Sequence, residues 1–482
     1  MTRDPRDTSA EEPDGGNLQV RFRGGPGSGN RPGLLNKSIR LAFILAAATA
    51  IACSDDGGTA DQGLLEVAPD HGLDASGPDS APASRSFRLA STPVTTKIGS
   101  GTFFVFGPQN LADDVDLISL HNDFIGVPWK AFEDGNISDL PPLWKAAVDE
   151  WVKLVQDANK GVFLSLALVG GSGRNTLAAE AGEQDGKLIT KDNWALPCFN
   201  FDTDPDGQRW RKAYLEYVKY MVGRFKPAYV NHAIEVNMFA AACDKMDPGA
   251  FDSVKKVADA AYDAARQAHP QAVVFPSFQI DTMRDAIGDG WCSKGSEAAC
   301  FTEALARVKS MKRDRFAVST YPYIVELTGI KFRSTWLDEV AQATGEKLVV
   351  AETGGASSDL VYNAGTAAAP SCQVHIAASE AVQEQYLGWL LGEAKRLEMD
   401  LVTWWSDRDI YPHALITGCP CTTPQDYCAV LDWFRSLART PQEQPQAELM
   451  FRLFESMGLR RFDGTPKKAL ATWQSYQKLP LK

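Results

Sequence analysis

The stretch Lys347-Leu-Val-Val-Ala-Glu-Thr-Gly-Gly355 decides the fold: four apolar or small residues lead into an acidic side chain, and a glycine pair breaks the run soon after. A β-branched run of that length, bounded by glycine, reads as a strand buried on both faces. Such strands belong to parallel sheets covered by helices. An upstream stretch, Val230-Asn-His-Ala-Ile-Glu-Val-Asn237, repeats the arrangement with Glu235 in the place of Glu352. An acidic residue at the carboxyl end of a parallel strand stands where a (β/α)8 barrel gathers its chemistry.

Working outward, strand-like runs fall at residues 102–106, 116–120, 162–169, 232–236, 272–278, 316–320, 348–352 and 401–405. Helical patterns lie between most of them, at 142–158, 207–225, 251–269, 302–311, 335–344 and 379–397, with a last one near 447–457. Alternation of this kind predicts an α/β protein, a single (β/α)8 TIM barrel with long loops. A doubly wound sheet is the competing architecture. It lacks support because no glycine-rich phosphate fingerprint follows the first strand, and Gly170-Gly-Ser-Gly173 has the wrong spacing and reads as a loop.

The chain has 482 residues, 44% of them hydrophobic, and a formal charge of −12. That charge repels phosphate backbones, so nucleic acid is excluded as a partner. Residues 1–33 show no apolar periodicity and are expected to be a non-native or disordered leader, with translation starting near Leu34 or Leu35. Residues 34–53 read as a secretion signal, with a basic start at Asn36-Lys-Ser-Ile-Arg40 and an apolar core from Leu41 to Ile51. The run Ala50-Ile-Ala-Cys53 resembles the bacterial lipoprotein cleavage motif, which implies a lipid anchor on Cys53. The expected location is the bacterial cell envelope, on the outer membrane, or outside the cell. Residues 54–91, rich in Asp, Gly, Ala, Ser and Pro, read as a flexible linker, and 92–482 as the barrel domain, a monomer.

Nine cysteines fit an oxidising compartment, Cys53 for lipidation and eight for pairing. A bridge between Cys292 and Cys300 and a cluster among Cys372, Cys419, Cys421 and Cys428 are the expected pairings, with Cys198 and Cys243 left over. Zinc at Cys419-Pro-Cys421 and Cys428 lacks the spacing of a four-ligand site and a nearby histidine, so no metal is expected.

Two glutamates converging across a barrel mouth supply the pair of carboxyl groups that cleaves a glycosidic bond with retention, one as nucleophile and one as acid and then base. That chemistry demands unequal acidities, with Glu235 protonated near neutrality and Glu352 ionised. A Ser-His-Asp reading finds no Gly-x-Ser-x-Gly elbow.

The chain resembles the large clan of retaining (β/α)8 glycoside hydrolases that place glutamates at strands 4 and 7, and most closely its endo-β-1,4-galactanase branch. The resemblance runs from about Thr102 to Trp473 and rests on Asp123-Phe-Ile-Gly-Val-Pro-Trp129, Ile234-Glu-Val-Asn237, Ser319-Thr-Tyr-Pro-Tyr323, Ala351-Glu-Thr-Gly354, Thr403-Trp-Trp405 and Gly458-Leu-Arg-Arg-Phe-Asp-Gly-Thr-Pro466. It implies a polysaccharide substrate and no organic cofactor. By the same resemblance Glu352 is the nucleophile, Glu235 the acid/base, and Tyr321 the group that orients Glu352. One of Trp404 and Trp405 floors the sugar subsite, and strand alternation is read as favouring Trp404. Trp129 and Trp194 are candidate sugar platforms, while His121 and Asn237 are candidate hydroxyl contacts. The clan carries Asn directly before the acid/base, whereas this chain has Ile234. A shifted register would make Asn237 that asparagine and put Met238 in the acid position, leaving a catalytically inactive glycan-binding lipoprotein on the same barrel.

Overall fold

The structure, a computed structural model, describes residues 84–93, 95–97, 105–106, 110–170, 174–184, 186–191, 197–285, 292, 294–326, 332–363, 373–410 and 453–482. The signal segment, Cys53, Trp194, Cys372, Cys419, Cys421 and Cys428 lie outside them. Eight strand positions follow one another along the chain: β1 (Arg88–Ser91), β2 (Leu117–His121), β3 (Gly161–Ser165), β4 (Tyr229–Asn231), β5 in two pieces (Val273–Phe275 and Ser277–Gln279), β6 (Phe316–Thr320), β7 (Leu348–Thr353) and β8 (Leu401–Trp404). All pairings among them are parallel, each strand lies beside its successor, and β1 pairs with both β2 and β8. This is the closed ring of a (β/α)8 barrel, as the sequence predicts.

The break in β5 has a chemical cause. Pro276 separates the two pieces, and proline has no N–H to give to a ladder. The first piece pairs with β4 and the second with β6. Closure continues across the gap because His232 N donates to Phe275 O at 3.0 Å and Val236 N donates to Ser277 O at 3.2 Å.

The first strand differs from the expectation. Within 102–106 the described pair Val105–Phe106 is a strand, and it pairs antiparallel with Thr95–Lys97 outside the ring. β1 falls instead within the stretch read as linker, so the barrel begins before residue 92. Four residues that begin with arginine and end with serine give little apolar signal, and tertiary contacts hold them. Arg85 is buried, and its guanidinium donates twice to Asp116, at 2.6 and 2.8 Å. Its backbone pairs with the C-terminal end, donating to Pro480 O and accepting from Lys482 N.

Every strand contributes to a buried apolar cluster that fills the barrel interior: Ala90, Leu117, Phe163, Tyr229, Phe275, Ala317, Leu401 and, from β7, both Val349 and Ala351. Each large apolar side chain buried in this way contributes roughly 1.5–3 kcal/mol. The outer core lies between the ring and helices α1 (Pro142–Ala158), α2 (Gly207–Phe225), α3 (Ala250–Ala268), α4 (Glu297–Val308), α5 (Trp336–Thr344), α6 (Glu380–Arg396) and α7 (Lys468–Gln477). Two disulfides occur among the described residues: Cys292–Cys300, the expected pair, and Cys198–Cys243, which joins the segment before α2 to the helix Asn237–Cys243.

Candidate active site

Glu352 sits near the end of β7, beyond the register shift that occurs between Val318 and Ser319 on β6. The Tyr321 hydroxyl, just past β6, donates to Glu352 Oε1. Asp281 fixes Tyr321 from behind, accepting from Tyr321 N at 3.0 Å and from Thr320 Oγ1 at 2.9 Å. Gln279 Nε2 donates to the same carboxylate at 2.9 Å.

Glu235 reaches the site by a different route from the expected one. β4 ends at Asn231, and Glu235 stands four residues later in a turn, with φ of 48°. A left-handed glutamate is strained and needs surrounding structure to hold it. Ser277 supplies this: its Oγ accepts from Glu235 N at 3.0 Å and from Asn231 Nδ2 at 2.9 Å, while Asn231 Oδ1 accepts from Ser277 N at 3.0 Å. The split in β5 therefore places Ser277 under the turn that carries Glu235.

Arg174, beyond β3, joins the two halves. Its Nη1 donates to Asp123 Oδ2 at 2.8 Å and its Nε reaches Glu235 Oε2 at 3.4 Å. Burial pushes Glu235 up to about 7, and the negative charge of Glu352 adds to the rise while Arg174 opposes it. Burial raises Glu352 too, but the Tyr321 hydroxyl and Arg174 hold it back. Burial and the charge of Glu352 thus favour the protonated form of Glu235, while the Tyr321 hydrogen bond favours the ionised form of Glu352.

His121 closes β2, with Nε2 3.8 Å from Glu352 Oε2 and its ring edge-on to Trp405 at 4.9 Å. Burial pushes its imidazole down to about 4, so the ring is neutral at pH 7 and the contact is not an ion pair. Its Nε2 is buried and has no hydrogen-bond partner among the described residues.

Three expected sugar contacts are corrected. Trp404 is fully buried: it packs against Tyr386 of α6 and its Nε1 donates to Met457 O at 2.8 Å. Leu401 packs in the barrel interior, so alternation turns 403 and 405 inward with it and 404 outward onto the helices. The half-buried Trp405, followed by a cis peptide bond, is the tryptophan that meets His121. Trp129 is also buried, stacked on Tyr214 with its Nε1 on Ala178 O, and anchors a loop. Asn237 spends its amide on the Gln279 backbone, donating to O at 2.9 Å and accepting from N at 2.8 Å, so it ties the Glu235 turn to β5. That fixed role, with Glu235 against Arg174, favours the first register over the one centred on Met238. Ile234 is wholly buried in the outer core.

Two glycines of the quoted motifs are required by close approach. A Cβ on Gly354 meets Met457 Sδ at 2.6 Å and Trp405 O at 2.7 Å, and one on Gly458 meets Arg408 C at 2.0 Å. Both seat the 457–460 segment against the end of β8. Arg174, Asp281 and Ser277 were not legible as site residues. Arg174 follows the sequence Gly170-Gly-Ser-Gly173, which has no motif to index it, and the other two make contacts that no motif announces. Among the described residues no group of three or more His, Cys, Asp or Glu side chains converges to hold a metal ion.

No family model and no curated protein matches the chain. Among solved structures it is similar to the catalytic core of xylanase A, at 13% identity over 81% of this chain and 98% of that one, TM-score 0.46. It is similar to xylanase 10B from Thermotoga maritima, at 8% identity over 81% and 94%, TM-score 0.45. It is also similar to the exo-β-1,4-mannosidase Op5Man5 from Opitutaceae bacterium strain TAV5, at 13% identity over 82% and 60%, TM-score 0.48. Likeness at this level adds nothing to what the closed ring of eight strands already shows about the fold.

Proposed function

We propose that this chain is a retaining glycoside hydrolase that cuts β-linked polysaccharide by double displacement. The observation that carries the proposal is the pair Glu235 and Glu352 near the ends of β4 and β7, Glu235 held against Arg174 and Glu352 against the Tyr321 hydroxyl, with the charge of Glu352 felt at Glu235. In the first step the Glu352 carboxylate attacks the anomeric carbon while Glu235 gives its proton to the departing glycosidic oxygen. In the second, Glu235, now a carboxylate, takes a proton from water as that water attacks the same carbon, and the bond to Glu352 breaks. Tyr321 holds Glu352 in line for both, His121 meets a sugar hydroxyl, and Trp405 offers a ring face to the sugar. The order of motifs along the chain supports β-1,4-galactan as the first substrate to try.

A second reading, glycan binding without turnover, draws on one observation: position 234, directly before the acid, is a core isoleucine with no polar group to offer. Incubating the purified chain with a panel of plant and microbial β-glycans and assaying reducing ends separates the two. Turnover that disappears in both Glu235→Gln and Glu352→Gln supports the hydrolase, whereas binding with no turnover on any polymer supports the second reading. The basic start, apolar core and cysteine of residues 36–53 support a place on the outside of a bacterial membrane, anchored through lipid on Cys53.

A further inference from the structure

Arg174 is a charged feature of the site that neither the chemistry of two carboxyls nor any quoted motif requires. It stands in a turn beyond β3 with φ of 49°, a conformation that costs energy for a side-chain-bearing residue and so needs a contact to hold it. The contact is Asp123, whose Oδ2 accepts from Nη1 at 2.8 Å, with Val169 O 3.5 Å from the same nitrogen. With Nη1 anchored, the planar guanidinium presents its Nε to Glu235 Oε2 at 3.4 Å.

We propose that Arg174 is a positioning residue that selects which oxygen of Glu235 carries the transferable proton. A guanidinium has N–H donors and no acceptor, so the oxygen it faces must be the unprotonated one. Oε2 faces it. The proton of the acid form therefore resides on Oε1, with Nε holding the carboxyl group and Ser277 Oγ holding the Glu235 backbone N–H. This inference rests on the assignment of Glu235 as the acid/base, but its physical content, a cation that orients Glu235 and favours its ionised form, does not depend on any substrate.

The charged and titratable groups around Glu235 are Arg174 beyond β3, Asp123 beyond β2, Glu352 on β7, and, through the shared field, Asp281 and Tyr321. His121, on β2, is neutral. Only Arg174 among these lowers the pKa of Glu235, and the negative charges of Glu352 and Asp123 raise it. Removing the cation therefore has a signed consequence that loss of a merely structural tie between loops does not share.

The test is a pH titration of the Glu235 carboxyl carbon by NMR in the full chain labelled with 13C-glutamate, the resonance being assigned by its loss in Glu235→Gln. Arg174→Met is expected to raise the midpoint by at least about one unit, the usual effect of removing an opposite charge at this range. Arg174→Lys keeps the charge and is expected to bring the midpoint most of the way back. A midpoint unmoved in Arg174→Met, or moved equally by Met and Lys, overturns the proposal. Arg174→Gln serves the same comparison should the Met variant not fold. Because no glycan enters the titration, a shift of the expected sign in a chain that hydrolyses nothing would uphold Arg174 as the partner of Glu235 while defeating the hydrolase reading.

Discussion

Replacing Tyr321 with Phe removes a single hydroxyl whose proton points at Glu352 Oε1. The ring keeps its edge-on contacts with Phe454 at 5.4 Å and Tyr323 at 6.3 Å, so packing is preserved and the change is electrostatic. A hydrogen bond to a charged group is worth roughly 1.5–3 kcal/mol, which at about 1.4 kcal/mol per pH unit raises Glu352 by a further one to two units. If Glu352 must be ionised to attack, the acid limb of kcat/KM moves up by that amount, and activity on the acid side of the profile falls roughly 10- to 100-fold. The stability consequence has a definite sign. Glu352 is already raised in the folded state, and raising it more makes the folded form hold its proton to higher pH than the unfolded form does. The variant is therefore destabilised fully above the new folded value and not at all below about 4.5, the ordinary value for a glutamate. Urea denaturation at pH 4.5 and pH 8 reads this without a substrate. A stability loss equal at both pH values, together with an unmoved acid limb, refutes the role given to the hydroxyl.

Other outcomes follow from burial. Trp404→Ala should cost about 3–5 kcal/mol of stability, as for a large core side chain, whereas Trp405→Ala should leave the melting temperature nearly unchanged and weaken glycan binding roughly threefold to tenfold, read by calorimetry. His232 is fully buried and pushed down to about 3, so the unfolded chain binds a proton that the folded chain refuses between that value and about 6.5. His232→Gln should accordingly remove a loss of ~1.4 kcal/mol per pH unit as acidity increases below pH 6.5, measured by urea unfolding at pH 6.5 and 5.0. The Cys198–Cys243 bridge closes a separation of 45 residues, and removing it by Cys198→Ala with Cys243→Ala should cost up to about 4 kcal/mol, seen as a lower melting temperature.

Legibility in the sequence followed the strength of the local signal. β7, with Leu348, Val349 and Val350 running into Glu352, stands out because continuous apolar β-branched runs have few other uses. β1 was hidden because Arg88-Leu-Ala-Ser91 is short, lies beside a Ser-rich stretch, and owes its place to the Arg85–Asp116 pair and the returning C-terminus. Glu235 was found for the right neighbourhood and the wrong local reason. It belongs to a strained turn that Ser277 supports, and Pro276 gives only half of that story. The choice between Trp404 and Trp405 failed because alternation fixes relative facing only. Leu401 and Val402 are both apolar, so nothing in the run says which parity points into the barrel. Arg174 escaped altogether, since its importance comes from Asp123 and Glu235 meeting it in space from separate loops.

The most direct test of the central claim is to trap the intermediate. An activated 2-deoxy-2-fluoro glycoside of the sugar that the chain turns over slows the second step more than the first, and mass spectrometry of the digested protein then locates the attached sugar. The account predicts one sugar per chain, on the peptide containing Glu352, and none in Glu352→Gln. Inversion at the anomeric carbon with no adduct, or an adduct on any other side chain while Glu352 stays unmodified, contradicts it.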